Sequence, residues 1–193
     1  SAGALRLWRS APQDTLSDNA LLTASRSALN VNDTQTAEHY WQLSKTRGAQ
    51  EWALGAAIAE REGRYPEALE RQRQALQHAP DADNFYAASV SAQKAGNLPQ
   101  STAWLAEAVQ RDPRNPRYRA DYGMRLAGAK TPEERRLSIP FLQQATRDYP
   151  EDYSLGETLA WRYDEIADSA SARAELRRVI DLEQNPVAGD DED

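Results

Sequence analysis

The sequence predicts an all-α chain built from stacked helix pairs, and three observations predict it. A six-residue block, Gly63-Arg64-Tyr65-Pro66-Glu67-Ala68, returns at an offset of 33 as Gly96-Asn97-Leu98-Pro99-Gln100-Ser101. Behind each block an alanine and a proline recur at the same offset, Ala75 and Pro80 becoming Ala108 and Pro113. The composition agrees, because 40% hydrophobic residues at a mean hydropathy of −0.81 are lean for one central core. They suit an elongated array in which each helix buries a single stripe.

Taken in order, residues 4–9 (Ala-Leu-Arg-Leu-Trp-Arg) read as the end of a preceding second helix, and 1–17 as that end plus a loop. Five helix pairs follow, at 18–48, 49–81, 82–115, 116–152 and 153–184. In the first pair Asn32 stands at the turn glycine, and Ala37, Trp41 and Ser44 fill the slots of Ala68, Gln72 and Ala75. The second and third pairs carry Gly63 and Gly96 after their first helices, where a left-handed cap is cheapest for glycine. Pro80, Pro113 and Pro150 follow second helices and stop them. The fourth copy places Ala145 and Pro150 at a displacement of 37, and the fifth puts Val179 at a displacement of 34 from Ala145, with Ala172 seven before it. Small residues (Ala37, Ala68, Ser101; Ala75, Ala108, Ala145) allow helices to approach, while Trp41, Leu105, Leu142 and Leu176 are expected to fill the space between pairs.

The fourth pair breaks register. Thr131 is placed as an N-cap, Pro132 as the first helical residue and Glu134 as the closing member of a capping box. Pro140 then falls inside the expected second helix and must kink or restart it. The run 185–193, ending Asp190-Asp191-Glu192-Asp193, reads as an acidic linker or tail.

These positions resemble the tetratricopeptide repeat. Trp52, Ala56, Ala59, Gly63, Tyr65, Ala68, Ala75 and Pro80 sit at its signature positions, and Phe85, Ser89, Ala92, Gly96, Ser101, Ala108 and Pro113 give a second match. Ala160, Tyr163, Ala172 and Val179 match in the last repeat, where Gln184 replaces the usual proline; in the first repeat Gly48 does so. The resemblance implies a right-handed superhelix, an α-solenoid of about five pairs, and a binding or scaffolding role.

Several chemistries are argued against. The net charge of −7 offers no basic excess for nucleic acid. Without cysteine there is no disulfide, thiol catalysis or thiolate metal site. His39 and His78 lie in no spacing that brings a second metal ligand alongside, and both read as structural. No phosphate cradle or nucleophile elbow occurs, and the adjacent carboxylates Glu133/Glu134 and Asp164/Glu165 point to different helix faces. No catalytic residue, metal or cofactor is therefore expected. No apolar run reaches membrane-spanning length, and the N-terminus lacks a signal peptide's regions. Ser1-Ala2-Gly3 followed directly by a helix fragment reads as a cut end, so the chain is expected to be a piece of a longer protein.

First helices of stacked pairs line a concave surface. Their outward stripe contains Arg26 and Asn30; Gln50, Ala57 and Arg61; Tyr86, Val90 and Gln93; Arg117, Asp121 and Met124; and Glu157, Trp161 and Asp164. Trp8, Trp41, Trp52, Trp104, Tyr65 and Phe85 are expected in the core. The binding candidates are Tyr86, Arg117, Asp121, Glu157 and Trp161, where rings flanked by charged groups could stack on sugars or hold a protein loop.

The C-terminal stretch (Ser138-Ile139-Pro140-Phe141-Leu142, Tyr149-Pro150-Glu151-Asp152-Tyr153, Ala174-Glu175-Leu176-Arg177-Arg178) resembles periplasmic repeat arrays of outer-membrane proteins of the phage-adsorption and exopolysaccharide-export type. That resemblance implies a location on the periplasmic side of a Gram-negative outer membrane, attachment to a membrane barrel, and a polysaccharide ligand beside protein partners. The alternative is a general protein–protein scaffold or assembly adaptor without sugar affinity, which could be cytoplasmic.

Overall fold

The structure, a computed structural model, describes residues 16–184; they form helices and turns, with no strand among them. The expectations for Trp8 with the helix end at 4–9, and for the acidic run 185–193, lie outside the described residues. The chain divides into two compact units between Trp104 and Leu105.

The first unit holds α1 (Asp18–Asn30), α2 (Thr34–Leu43), α3 (Ala49–Arg61), α4 (Tyr65–His78), α5 (Ala82–Lys94) and the start of α6 (Leu98–Arg111). Short polar side chains start the helices by accepting otherwise orphaned backbone N–H groups. Asp33 Oδ1 accepts from Thr36 at 3.2 Å, and Asp81 Oδ1 from Asn84 at 2.9 Å. First helices end in a left-handed residue: Asn32 at φ 62°, Gly63 at 73° and Gly96 at 77°. Around Gly63, the Arg64 N–H reaches Ala59 O at 2.8 Å and the Gly63 N–H reaches Glu60 O at 3.0 Å, which closes the helix and turns the chain back.

One apolar cluster of this unit joins Leu22, Ala28 and Leu29 of α1, Ala37 and Trp41 of α2, and Leu54 and Ile58 of α3. Trp41 anchors it. Its indole Nε1 donates to Glu51 O at 2.7 Å, its ring meets Trp52 edge-on with centroids 5.8 Å apart, and the Arg71 guanidinium lies 4.1 Å from its centroid. Arg71 is itself buried, donating to Gly55 O at 2.7 Å and pairing with Glu38 and Glu67. Burial alone would raise the Glu38 carboxyl, but the hydrogen bonds and charge of Arg71 outweigh it and hold Glu38 below the usual carboxylate range.

The second unit holds the rest of α6, then α7 (Pro116–Ala127), α8 (Pro132–Arg136), α9 (Ile139–Asp148), α10 (Tyr153–Glu165) and α11 (Ser169–Gln184). Its core joins Ala120 and Ala127 of α7, Leu142 and Ala145 of α9, and Leu155 and Leu159 of α10. The extra residues of the fourth pair fold as α8. Thr131 Oγ1 accepts from the Glu134 N–H at 3.3 Å and donates to its carboxylate at 3.0 Å. Pro140 restarts the chain rather than kinking it: it sits in the first turn of α9, where no helical N–H bond is lost. Arg135 fastens α8 to α10, its Nε donating to Glu165 at 2.8 Å, and this bond lowers the Glu165 carboxyl.

Two expectations of burial are corrected. Tyr65, expected in the core, is exposed at the first residue of α4, where its backbone begins the helix before the buried stripe starts at Ala68. Leu176, expected to fill the space between pairs, is exposed, because no described element follows α11 to cover it. Trp41 is buried, and Trp52, Phe85 and Trp104 are half-buried.

Candidate binding surface

Four of the five candidate residues fall in the second unit, in two separate depressions. Arg117 and Asp121, one turn apart on α7, line a shallow site of about 230 Å³ with Met124, Tyr149, Asp152 and Ser154. Its floor is set by capping chemistry: Asp152 Oδ1 accepts from the Ser154 N–H at 3.0 Å and the Leu155 N–H at 3.4 Å, fixing the turn that brings α10 alongside α7.

Glu157 and Trp161 line a larger groove of about 510 Å³ between α10 and α11. Its walls are Glu157, Ala160, Trp161 and Asp164 from α10, and Ser169, Ala172, Arg173 and Leu176 from α11. The spacing 157, 161, 164 is four then three, so these side chains share one face of α10. Trp161 is 66% exposed. The carboxylates of Glu157 and Asp164 make no ion pair or hydrogen bond among the described residues, unlike Glu165, which pairs with Arg135 and Arg162.

Tyr86, the fifth candidate, belongs to the first unit. It lies half-buried on α5, and its carbonyl accepts from Ser89 Oγ at 2.7 Å. Of the wider stripe, Arg26, Asn30, Gln50, Arg61 and Gln93 are exposed, while Ala57 is half-buried against the core around Trp41. Sequence reasoning missed Leu176 and Ile180 as surface residues. Leu176 reads as a packing position and Ile180 carries no reading of its own; no helix among the described residues covers either. Among the described residues no cluster of three or more His, Asp or Glu could hold a metal ion, and no helix is long and apolar enough to cross a membrane. His39 and His78 are exposed, His39 lying 5.6 Å from the Tyr40 ring.

No family model and no curated protein matches the sequence. Solved structures do match. YrrB, described as a tetratricopeptide-repeat protein with an unusual peptide-binding site, superposes with a TM-score of 0.73 at 17% identity, over 86% of this chain and 87% of that one. MamA from Desulfovibrio magneticus RS-1 superposes with a TM-score of 0.74 at 16% identity, over 89% and 97%. Another MamA structure gives 0.73 at 8% identity, over 89% and 96%. At these identities the likeness concerns the fold, which is therefore the all-α fold of tetratricopeptide-repeat proteins.

Proposed function

We propose that this chain is a non-catalytic protein-binding scaffold whose partner site is the groove between α10 and α11. The observation that carries the reading is the face itself: a two-thirds exposed tryptophan, an adjoining exposed leucine and two carboxylates left without partners among the described residues. Exposed apolar area of this kind is a liability unless something covers it. The fold supports the reading, since stacked helix pairs present side chains on a rigid frame.

The test is retention of proteins from an extract of the source cells by the immobilised chain. A specific protein should be held by the native sequence and reduced at least about tenfold by Trp161→Asp, as expected for an aromatic anchor. Arg26→Asp, on the first unit, should leave retention unchanged. If no retained protein depends on Trp161, the scaffold reading of this groove fails.

A second reading rests on the same tryptophan. A ring between carboxylates can stack on a sugar face while the oxygens accept from its hydroxyls, which suits the periplasmic part of an outer-membrane exopolysaccharide secretion protein that also serves as a phage receptor. Titration with acetylated and unacetylated hexosamine oligomers checks it; no binding at millimolar concentration removes it, together with the periplasmic placement and barrel attachment that accompany it.

A further inference from the structure

By repeat register, the exposed face of α10 and α11 matches, position by position, faces that are covered elsewhere among the described residues. Leu142 of α9 is 0% exposed and Thr146 is 9% exposed. Their counterparts in the next pair, Leu176 and Ile180 of α11, are 42% and 47% exposed. Leu142 lies in one buried cluster with Leu155 and Leu159 of α10, two leucines at i and i+4 on the next helix. The exposed face of α11 thus continues an interface whose covering chemistry is visible one pair earlier.

On the first helices the comparison gives a charge. In α7 Ala120 and Ala127 are buried in one cluster with Leu155 and Leu159 of the next pair. In α10 the same positions are Glu157 and Asp164. A further alanine would pack there without difficulty; a carboxylate must find a cation or stay wet. The chain contains the precedent. Glu60 of α3 occupies the register position of Asp164, and there Lys94 of α5 supplies the cation, its ammonium 2.5 Å from Glu60 Oε2, while Ser91 Oγ donates to the other oxygen. Arg173, the cation among the groove's lining residues, makes no ion pair among the described residues with Glu157 or Asp164.

We infer that the α10–α11 face receives a basic amphipathic helix of a partner protein. That helix presents two aliphatic residues at i and i+4 to Trp161, Leu176 and Ile180, and two Lys or Arg residues seven apart to Glu157 and Asp164. The seven-residue spacing follows from Glu157 and Asp164 themselves, two turns apart on one helix face. A second copy of this chain fits less well. Its first helix carries Asn30 where Lys94 stands in α5, so it brings no cation to Asp164. This inference rests on the scaffold reading above and names the partner class for the same groove.

The test uses the full chain and a stapled, alanine-based helix of about five turns, with Leu at its third and seventh positions and Lys at its sixth and thirteenth. A twin carries Glu in place of both Lys. Fluorescence anisotropy of the labelled helices should show the Lys helix binding about tenfold more tightly than the Glu twin at low salt, as two partly exposed ion pairs allow. The preference should reverse on the double variant Glu157→Lys/Asp164→Lys, and Leu176→Asp should abolish binding of both while the circular dichroism of the chain is unchanged. Equal binding of the two helices, no binding of either, or binding untouched by Leu176→Asp overturns the inference. So does a dimer in sedimentation equilibrium that Leu176→Asp dissolves, since a second copy then covers the face. If the helices fail while an extract protein still depends on Trp161, the scaffold reading stands and only the helical, basic partner is lost.

Discussion

Replacing Gly55 by alanine sets helix propensity against packing, and the two give opposite signs. Gly55 lies in the interior of α3, where exchanging glycine for alanine ordinarily gains about 1 kcal/mol. Here the added Cβ would stand 2.5 Å from both Cε2 and Cζ2 of Trp41 and 2.9 Å from its Nε1. Trp41 has little freedom to retreat, being buried, bonded through Nε1 to Glu51 O at 2.7 Å and set against Trp52 and Arg71. Overpacking a filled core costs about 1–3 kcal/mol, and a displaced indole that loses its buried acceptor adds about 1–3 kcal/mol. The net expectation for Gly55→Ala is a loss of about 3 kcal/mol, after the propensity gain is subtracted. Thermal unfolding followed by circular dichroism at 222 nm should show a midpoint lowered by roughly 6–12 °C for a chain of this size. A variant as stable as the native chain, or more stable, would refute the argument that Trp41 occupies the space above Gly55.

Other perturbations test other parts of the structure. Arg71→Met leaves Glu38 nearly buried without its main partner and should cost about 2–4 kcal/mol in urea unfolding. Leu142→Ala should cost about 2–4 kcal/mol because its cavity is enclosed, whereas Leu176→Ala, on the exposed face, should stay within about 0.5 kcal/mol; equal effects would contradict the burial contrast. Ala167 holds φ 60° at the turn between α10 and α11, where Asn32, Gly63 and Gly96 sit in the turns of the first three pairs, so Ala167→Gly should raise stability by about 0.5–1 kcal/mol. Glu38, Asp148 and Glu165 are held below the ordinary carboxylate range. For Asp148, burial alone would raise the carboxyl, and the Arg119 and Gln144 hydrogen bonds outweigh it; Glu165 is lowered chiefly by its bond from Arg135. Depressed carboxylates stabilise the folded state above their unfolded values, so the urea midpoint should be level from about pH 8 to 5 and fall below about pH 4. A midpoint rising on acidification would contradict these pairings.

Much of the architecture was legible because backbone requirements write themselves into single residues. A left-handed turn selects glycine or asparagine, hence Gly63, Gly96 and Asn32. A helix start selects a short acceptor, hence Thr131 ahead of Pro132. The positions against which neighbouring helices close, such as Ala37, Ala68 and Ala145, keep their small residues across pairs and are fully buried. The site was legible only in part. Tyr86 and Trp161 share a periodic stripe and read alike, yet one is half-buried in the first unit and the other is exposed in the second.

Local geometry and periodicity, read from the sequence, determined that this chain folds as repeated helix pairs, because each pair's turns, caps and small contact residues are fixed by neighbours within a few positions. What only the tertiary structure decided is which apolar residues are covered. Leu142 and Leu176 occupy the same register position and are the same residue type, but a following helix buries the first and none among the described residues covers the second. Burial belongs to a pair of surfaces and not to a residue, so periodicity could mark Leu176 as a packing position but could not report that no described element covers it.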